Sequence, residues 1–269
     1  MIRTLVLIAI TGFFVAVVSL SAAFAIGGPE LATSRWAWFD RWDDGDHRHR
    51  HRGDDDDRQK PPEASTISRD ITWDGSSKVQ FDIPVAVEFT QTAGPGKVTI
   101  TGPRDAVERV VLSGGRLSFR EPMTDYVRLR VVMTAPAVTE FDLGGDNRLE
   151  INDYKQDRLA IVASGSAEVS AEGEAKAVEL DLSGSSEADL SDLTSESAKA
   201  EVSGSSQAKV APKASGVFDV SGSGEVKLST RPQTLSTDVA GSGRVIYDDG
   251  SEALPTRDPD LPASAASKT

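Results

Sequence analysis

A glycine recurs at nearly even intervals through the second half of the chain, at Gly145, Gly165, Gly184, Gly204, Gly222 and Gly241, with spacings of 20, 19, 20, 18 and 19 residues. A period this short excludes paired-helix repeats, which need about 33 residues or more, and suits one coil of a β-solenoid. The leucine-rich repeat is the rival architecture at this period, but its L-x-x-L-x-L-x-x-N frame is absent. The residues around the glycine repeat as well. Two before it stand Leu143, Ala163, Leu182, Val202, Val220 and Val239; four after it stand Leu149, Val169, Ala188, Ala208, Val226 and Val245. Six after it come Ile151, Ala171, Leu190, Val210, Leu228 and Tyr247. Apolar residues therefore keep a period of two on both sides of the glycine, so each unit reads as strand, Ser-Gly-Ser corner, strand and a variable second corner. Glycine suits the corner because tight bends use positive φ and backbones pass closely there. The fold expected is all-β: a single-stranded β-helix-like solenoid of about six Ser-Gly-Ser coils.

An N-terminal β-sheet or hairpin region precedes the repeats. Val79-Gln80-Phe81-Asp82-Ile83 and Val85-Ala86-Val87-Glu88-Phe89 alternate as strands do, and a turn at Gly94-Pro95-Gly96 leads into Lys97-Val98-Thr99-Ile100. Pro103 to Arg109 fits one helical turn, and Arg116 to Phe119 and the run opening with Val127 to Val131 are further strands, the second ending at Pro136. The solenoid domain is expected to span residues 66–250.

The flanks are of another kind. Residues 1–25 read as a signal peptide, with Arg3, an apolar run from Thr4 to Leu20 and the small-x-small site Ala23-Phe24-Ala25. An uncleaved membrane anchor is the alternative, since Thr4 to Ile26 is long enough to span a bilayer and Trp36, Trp38, Phe39 and Trp42 follow it. Either way the remainder lies outside the cytoplasm: in the periplasm, on the outer membrane surface or in the medium. Membrane contact is then confined to an uncleaved N-terminal segment. Residues 26–65 read as a disordered linker of mixed charge, including the run His47-Arg48-His49-Arg50-His51-Arg52, and residues 251–269 as a disordered tail. Apolar residues make up only 38% and aromatics 6%, too little for one thick core but enough for a thin repetitive one. A net charge of −13 argues against a nucleic-acid partner.

The Ser-Gly-Ser units, above all Val220-Ser221-Gly222-Ser223-Gly224-Glu225-Val226, and the closing Gly241-Ser242-Gly243-Arg244-Val245-Ile246-Tyr247, resemble the bacterial head GIN domain family of auto-transporter adhesins. The leading strand Val85 to Gln91 and the hairpin ending at Leu117-Ser118-Phe119 share in the likeness, which covers about residues 71–250. The resemblance implies an exported β-helix-like domain. It brings no catalytic residue and no ligand with it.

The residues themselves speak against catalysis. The chain has no cysteine, and its three histidines, His47, His49 and His51, all precede the repeats, so no Ser-His-Asp triad can form within the repeat domain. The nucleophile elbow, H-E-x-x-H and the phosphate-binding G-x-x-x-x-G-K-[ST] are missing. A β-helix can carry paired carboxylates for glycoside cleavage, and Glu187 with Asp189 is such a pair. The histidine run could present three imidazoles on one side of an extended strand, with a charged linker as the competing reading. Gly144-Gly145-Asp146 is close to a calcium-binding nonapeptide, but its next Gly and Asp are missing. Three residues before each glycine stand Asp142, Val162, Asp181, Glu201, Asp219 and Asp238. Alternation turns this position outward, so the five acids are expected to form one stripe. A solvated face is one reading of it; a row for Ca²⁺ is the other, because hard cations take carboxylate oxygens. No other cofactor is indicated. The functions left are a non-enzymatic envelope module that adheres to glycan or protein, a carbohydrate-active enzyme on a β-helix, or a structural envelope protein.

Overall fold

The computed structural model describes residues 65–123 and 127–255. The expected signal or anchor segment, the expected linker up to residue 64 with His47 to Arg52, and residues 256–269 lie outside the described residues. The described chain is nearly all-β and winds through a solenoid of about five turns.

Each turn holds its side chains in rows because successive turns pair parallel and in register. β9 (Arg148–Ala163), β10 (Glu168–Leu182), β11 (Glu187–Val202) and β12 (Gln207–Gly222) lie side by side, each running from one repeat-glycine corner to the next. The registers Ala163↔Leu182, Leu182↔Val202 and Val202↔Val220 make one inward row, and Leu149↔Val169, Val169↔Ala188 and Ala188↔Ala208 make another. The second row continues through Ala208↔Val226 on β13 (Glu225–Leu228) and Val226↔Val245 on β15 (Arg244–Tyr247). Val210↔Leu228↔Tyr247 is a third. Apart from the partly buried Tyr247 these inward residues are almost completely buried, so the pattern of period two is the core itself.

Large and small residues alternate to fill the narrow interior. Phe218 stacks beside Ala200, and a Cβ on Gly216 would lie 2.6 Å from the Phe218 ring. The ring thus takes the volume that a glycine and an alanine leave open. Near the other end the rings of Phe89 and Phe141 meet edge to face at 5.1 Å.

The second corner differs from its expected form. The strands continue through it without a break, the bend being marked by register shifts between Ala171 and Gly173 and between Leu190 and Thr194. Tyr154 is buried here, its hydroxyl donating to the carbonyl of Arg158 at 2.7 Å. Gly173 takes φ +128° against the Tyr154 backbone, where a Cβ would come within 2.2 Å of a carbonyl oxygen.

The N-terminal strands are part of the same stack, in an order that differs from the order of the sequence. β2 (Lys78–Phe81) and β3 (Val85–Gln91) form one turn. On one side it pairs with β6 (Arg116–Phe119) and β7 (Leu129–Ala135); on the other, with β8 (Glu140–Leu143) and the start of β9. The first turn in sequence is therefore sandwiched between the second and the third. The strand expected from Val127 to its end at Pro136 is β7, Leu129–Ala135, whose alternation matches Val85, Val87 and Phe89 across the ladder.

Antiparallel strands close the N-terminal end. β4 (Lys97–Pro103) lies between β7 and β1 (Thr66–Thr72). α1 (Arg104–Arg109) follows Pro103 and buries Ala106 and Val107. β5 (Val110–Ser113) then forms a hairpin with β6 through Gly114-Gly115. At the other end β14 (Thr234–Gly241) pairs with β12, placing Val239 on Val220. Val239 completes its row but remains 42% exposed. The start of the expected tail is structured. Ala253 donates its amide to Val245 at 2.9 Å and is buried, because the Asp249–Ser251 turn returns the chain along β15.

Candidate interaction surfaces

The Ser-Gly-Ser corners stack into one edge of the solenoid. Gly145, Gly165, Gly184, Gly204, Gly222 and Gly241 all take positive φ, between +72° and +100°. The amide after each glycine donates to the previous glycine's carbonyl: Ser166 to Gly145 at 2.8 Å, Ser185 to Gly165 at 2.7 Å, Ser205 to Gly184 at 2.8 Å and Ser223 to Gly204 at 2.8 Å. The β-ladder thus continues around the bend, and the backbones approach so closely that a Cβ on Gly204 would lie 2.6 Å from the Gly184 oxygen. Ser166, Ser185, Ser205 and Ser223 remain exposed beside this spine, so their recurrence serves the corner.

Inside the corner a second row runs Asn147, Ala167, Ser186, Ser206. Asn147 is the polar plug at the N-terminal end. Its side-chain oxygen accepts from the Val85 amide at 2.8 Å and its amide donates to Gly144 at 2.8 Å. The neighbouring turn bends at Asp82-Ile83-Pro84 without a repeat glycine, and Asn147 replaces the bonds that the spine makes elsewhere. The sequence marks this residue only as the one amide in a row of small residues.

The acidic positions fall in register as one outward row: Asp142↔Val162↔Asp181↔Glu201↔Asp219↔Asp238. Asp142 bonds Lys78 at 3.1 Å and Glu201 bonds Lys199 at 2.6 Å. The row runs in single file along the face, and no group of three metal-ligating side chains is gathered among the described residues. A shallow depression on this face holds Arg158, Glu179, Lys199 and Glu201. Arg158 and Glu179 are bonded at 2.7 Å; that bond holds the Glu179 carboxyl below its ordinary range and the guanidinium above its own.

The face after the corner carries Glu187 and Asp189. Burial pushes the Asp189 carboxyl up, but the bonds from Lys209 at 2.8 Å and from the Ser191 hydroxyl at 2.6 Å outweigh it, and the net direction is down. Lys209 is raised by the same bond. Along the second corner, Asp157 pairs with Lys176 at 2.8 Å and Lys155 with Glu174 at 3.5 Å, beside Glu196 and Lys213 in an open groove. Sequence reasoning misses these rungs between turns; opposite charges about 19 residues apart are the signal that could reveal them. Among the described residues no helix is long and apolar enough to cross a membrane.

Comparison with known proteins agrees with this architecture. A structure described as a putative adhesin from Bacteroides fragilis is similar over 69% of this chain and 98% of its own, with 18% identity and a TM-score of 0.57. A putative adhesin from Parabacteroides merdae covers 69% of this chain and 97% of its own at 15% identity and a TM-score of 0.46. A structure described as a putative lipid binding protein from Parabacteroides distasonis has the same coverage and identity and a TM-score of 0.44. No curated protein matches the chain. Residues 77–232, from the first turn through the fifth repeat glycine, match the family described as "putative auto-transporter adhesin, head GIN domain", and the chain belongs to that family.

Proposed function

We propose that this chain is an exported, non-enzymatic binding module of the cell envelope, adhering through its long faces to glycan or protein. The family and its adhesin-like neighbours support the adhesive part of this reading. The state of the carboxylates supports the non-enzymatic part and carries it. A glycosidase needs one carboxyl raised so that it holds a proton for the leaving group. Asp189, of the pair Glu187 and Asp189, is instead held below its ordinary range by Lys209 of the next turn, 2.8 Å away, and is not that acid. A stacked sheet with open faces offers an extended surface of the kind repeat proteins use for binding.

Retention of the purified chain on a panel of polysaccharides and envelope proteins, scored together with reducing-end release, tests this. Retention without release is the expected result. Release that is lost on D189N would make the chain an enzyme. Absence of retention across the panel would leave a purely structural role.

A further inference from the structure

Along the second corner an open groove of about 450 Å³ crosses the successive strands β9 to β12. Three columns of side chains build it. The middle column is its floor: Gln156, Ala175 and Ser195 are in register, and Ala175 and Ser195 are buried. Charges flank this floor. Lys155 and Asp157 stand on either side of Gln156, and Glu174 and Lys176 on either side of Ala175, so these two turns each set a cation across from a carboxylate, in opposite order. The pairs Lys155–Glu174 and Asp157–Lys176 join the turns and hold these side chains along the walls. At the β11–β12 end the pairing stops. Among the described residues the side chains of Thr194 and Lys213 make no hydrogen bond or ion pair, and Glu196, whose charge favours the ammonium form of Lys176 from a distance, is bonded to no side chain. Ser195 is 2% exposed, yet its hydroxyl makes no hydrogen bond within the described residues. No fully buried side-chain oxygen there lacks a partner, so this hydroxyl keeps its contact with the groove.

We propose that this groove binds a neutral glycan, a polysaccharide segment lying along the solenoid axis with its hydroxyls shared among Ser195, Glu196 and Lys213. The proposal rests on the reading of the chain as a binding module and narrows its ligand. Charge decides the class. The whole chain carries −13, but the three lysines and three acids of the groove cancel. A polyanion or polycation laid along it would meet attraction and repulsion in turn. A sugar hydroxyl donates and accepts at once, so it can bridge a carboxylate that only accepts and an ammonium that only donates. The charge on both partners strengthens each bond. From β9 to β12 is three steps of strand spacing, roughly 14 Å, which admits a run of sugar rings. A peptide finds less here. β10 and β11, beneath the centre of the groove, are paired on both sides, which leaves no edge for an added strand. The one apolar side chain in the lining is the methyl group of Ala175.

Native electrophoresis of the purified full chain through gels containing dextran, mannan or laminarin, with alginate as the anionic counterpart, tests this. We expect retardation by at least one neutral polymer, unchanged by added NaCl. In E196A/K213A the affinity should fall about tenfold or more. Both positions are exposed, so the circular dichroism spectrum of that variant should match the wild type. S195A, which removes one hydroxyl and adds no bulk, should weaken binding as well, while E201Q, on the acidic face, should bind as the wild type does. Retardation by a neutral polymer that survives E196A/K213A would put the glycan elsewhere on the module: this inference would fall and the binding reading would stand. Retardation by alginate alone would overturn the neutral class. Absence of retardation in every gel would overturn the inference, and retention on envelope proteins would then decide whether the binding reading falls with it.

Discussion

Gly204 and Gly145 occupy equivalent corners, yet their surroundings differ. Both take positive φ, at +76° and +72°. A Cβ on Gly145 would meet nothing within 4 Å, because the turn before it lacks a repeat glycine; on Gly204 it would strike the Gly184 carbonyl oxygen. Gly145→Ala should therefore cost only the conformational strain, about 1 kcal/mol. Gly204→Ala adds a collision with backbone that cannot rotate away, and its cost should reach roughly 2–3 kcal/mol. Urea unfolding of the two variants checks the order. Equal losses would mean that the spine is held by dihedral preference alone and not by close approach.

Among the elements, the corner at Asp82-Ile83-Pro84 shows how one side chain can stand in for a ladder. Asn147→Leu removes the acceptor of the buried Val85 amide. An unpaired buried amide costs about 1–3 kcal/mol, and the turn of β2 and β3 should loosen first. Hydrogen exchange at Val85 that remains as slow as in the wild type would show that the plug is dispensable. The repeat rows are legible in the sequence because parallel, in-register stacking turns a period along the chain into a line in space. The glycine period alone brings Leu182, Val202 and Val220 together, and Asp181, Glu201 and Asp219 likewise, and the ladders keep both groupings. The site of Asn147 is not legible. Its partner Val85 is 62 residues distant and belongs to a turn without the glycine signature. The placement of that turn between its two successors, and the bend carried inside β10, depend on which volumes fit and not on any local pattern. The exposure of Val239 is not legible either, since its flanking residues follow the same alternation as those of Val220 and only its place on β14, at the end of its row, differs.

For the molecule as a whole, ion pairs between and within turns set the dependence of stability on pH. Glu179 and Asp189 are held below their ordinary range when folded, so they contribute stability above the unfolded carboxylate range and lose it as pH falls through their depressed values. Lys199 and Lys209 are raised when folded, so their contribution is complete at neutral pH and fades only as pH rises past the ordinary lysine range. The urea midpoint should be flat between about pH 5 and 9 and fall below about pH 4. A midpoint that rises on acidification would contradict this. The sandwiching of the first turn between the second and third bears on assembly. A solenoid whose turns followed the chain could wind from its leading end as that end emerged. Here the strands around Val79 and Val87 complete their pairing only when residues near Phe141 and Leu149 arrive. In the export proposed above, passage through a narrow channel would deliver the beginning of the domain as a waiting segment. The folding nucleus must span three turns, after which each later turn adds to its predecessor alone.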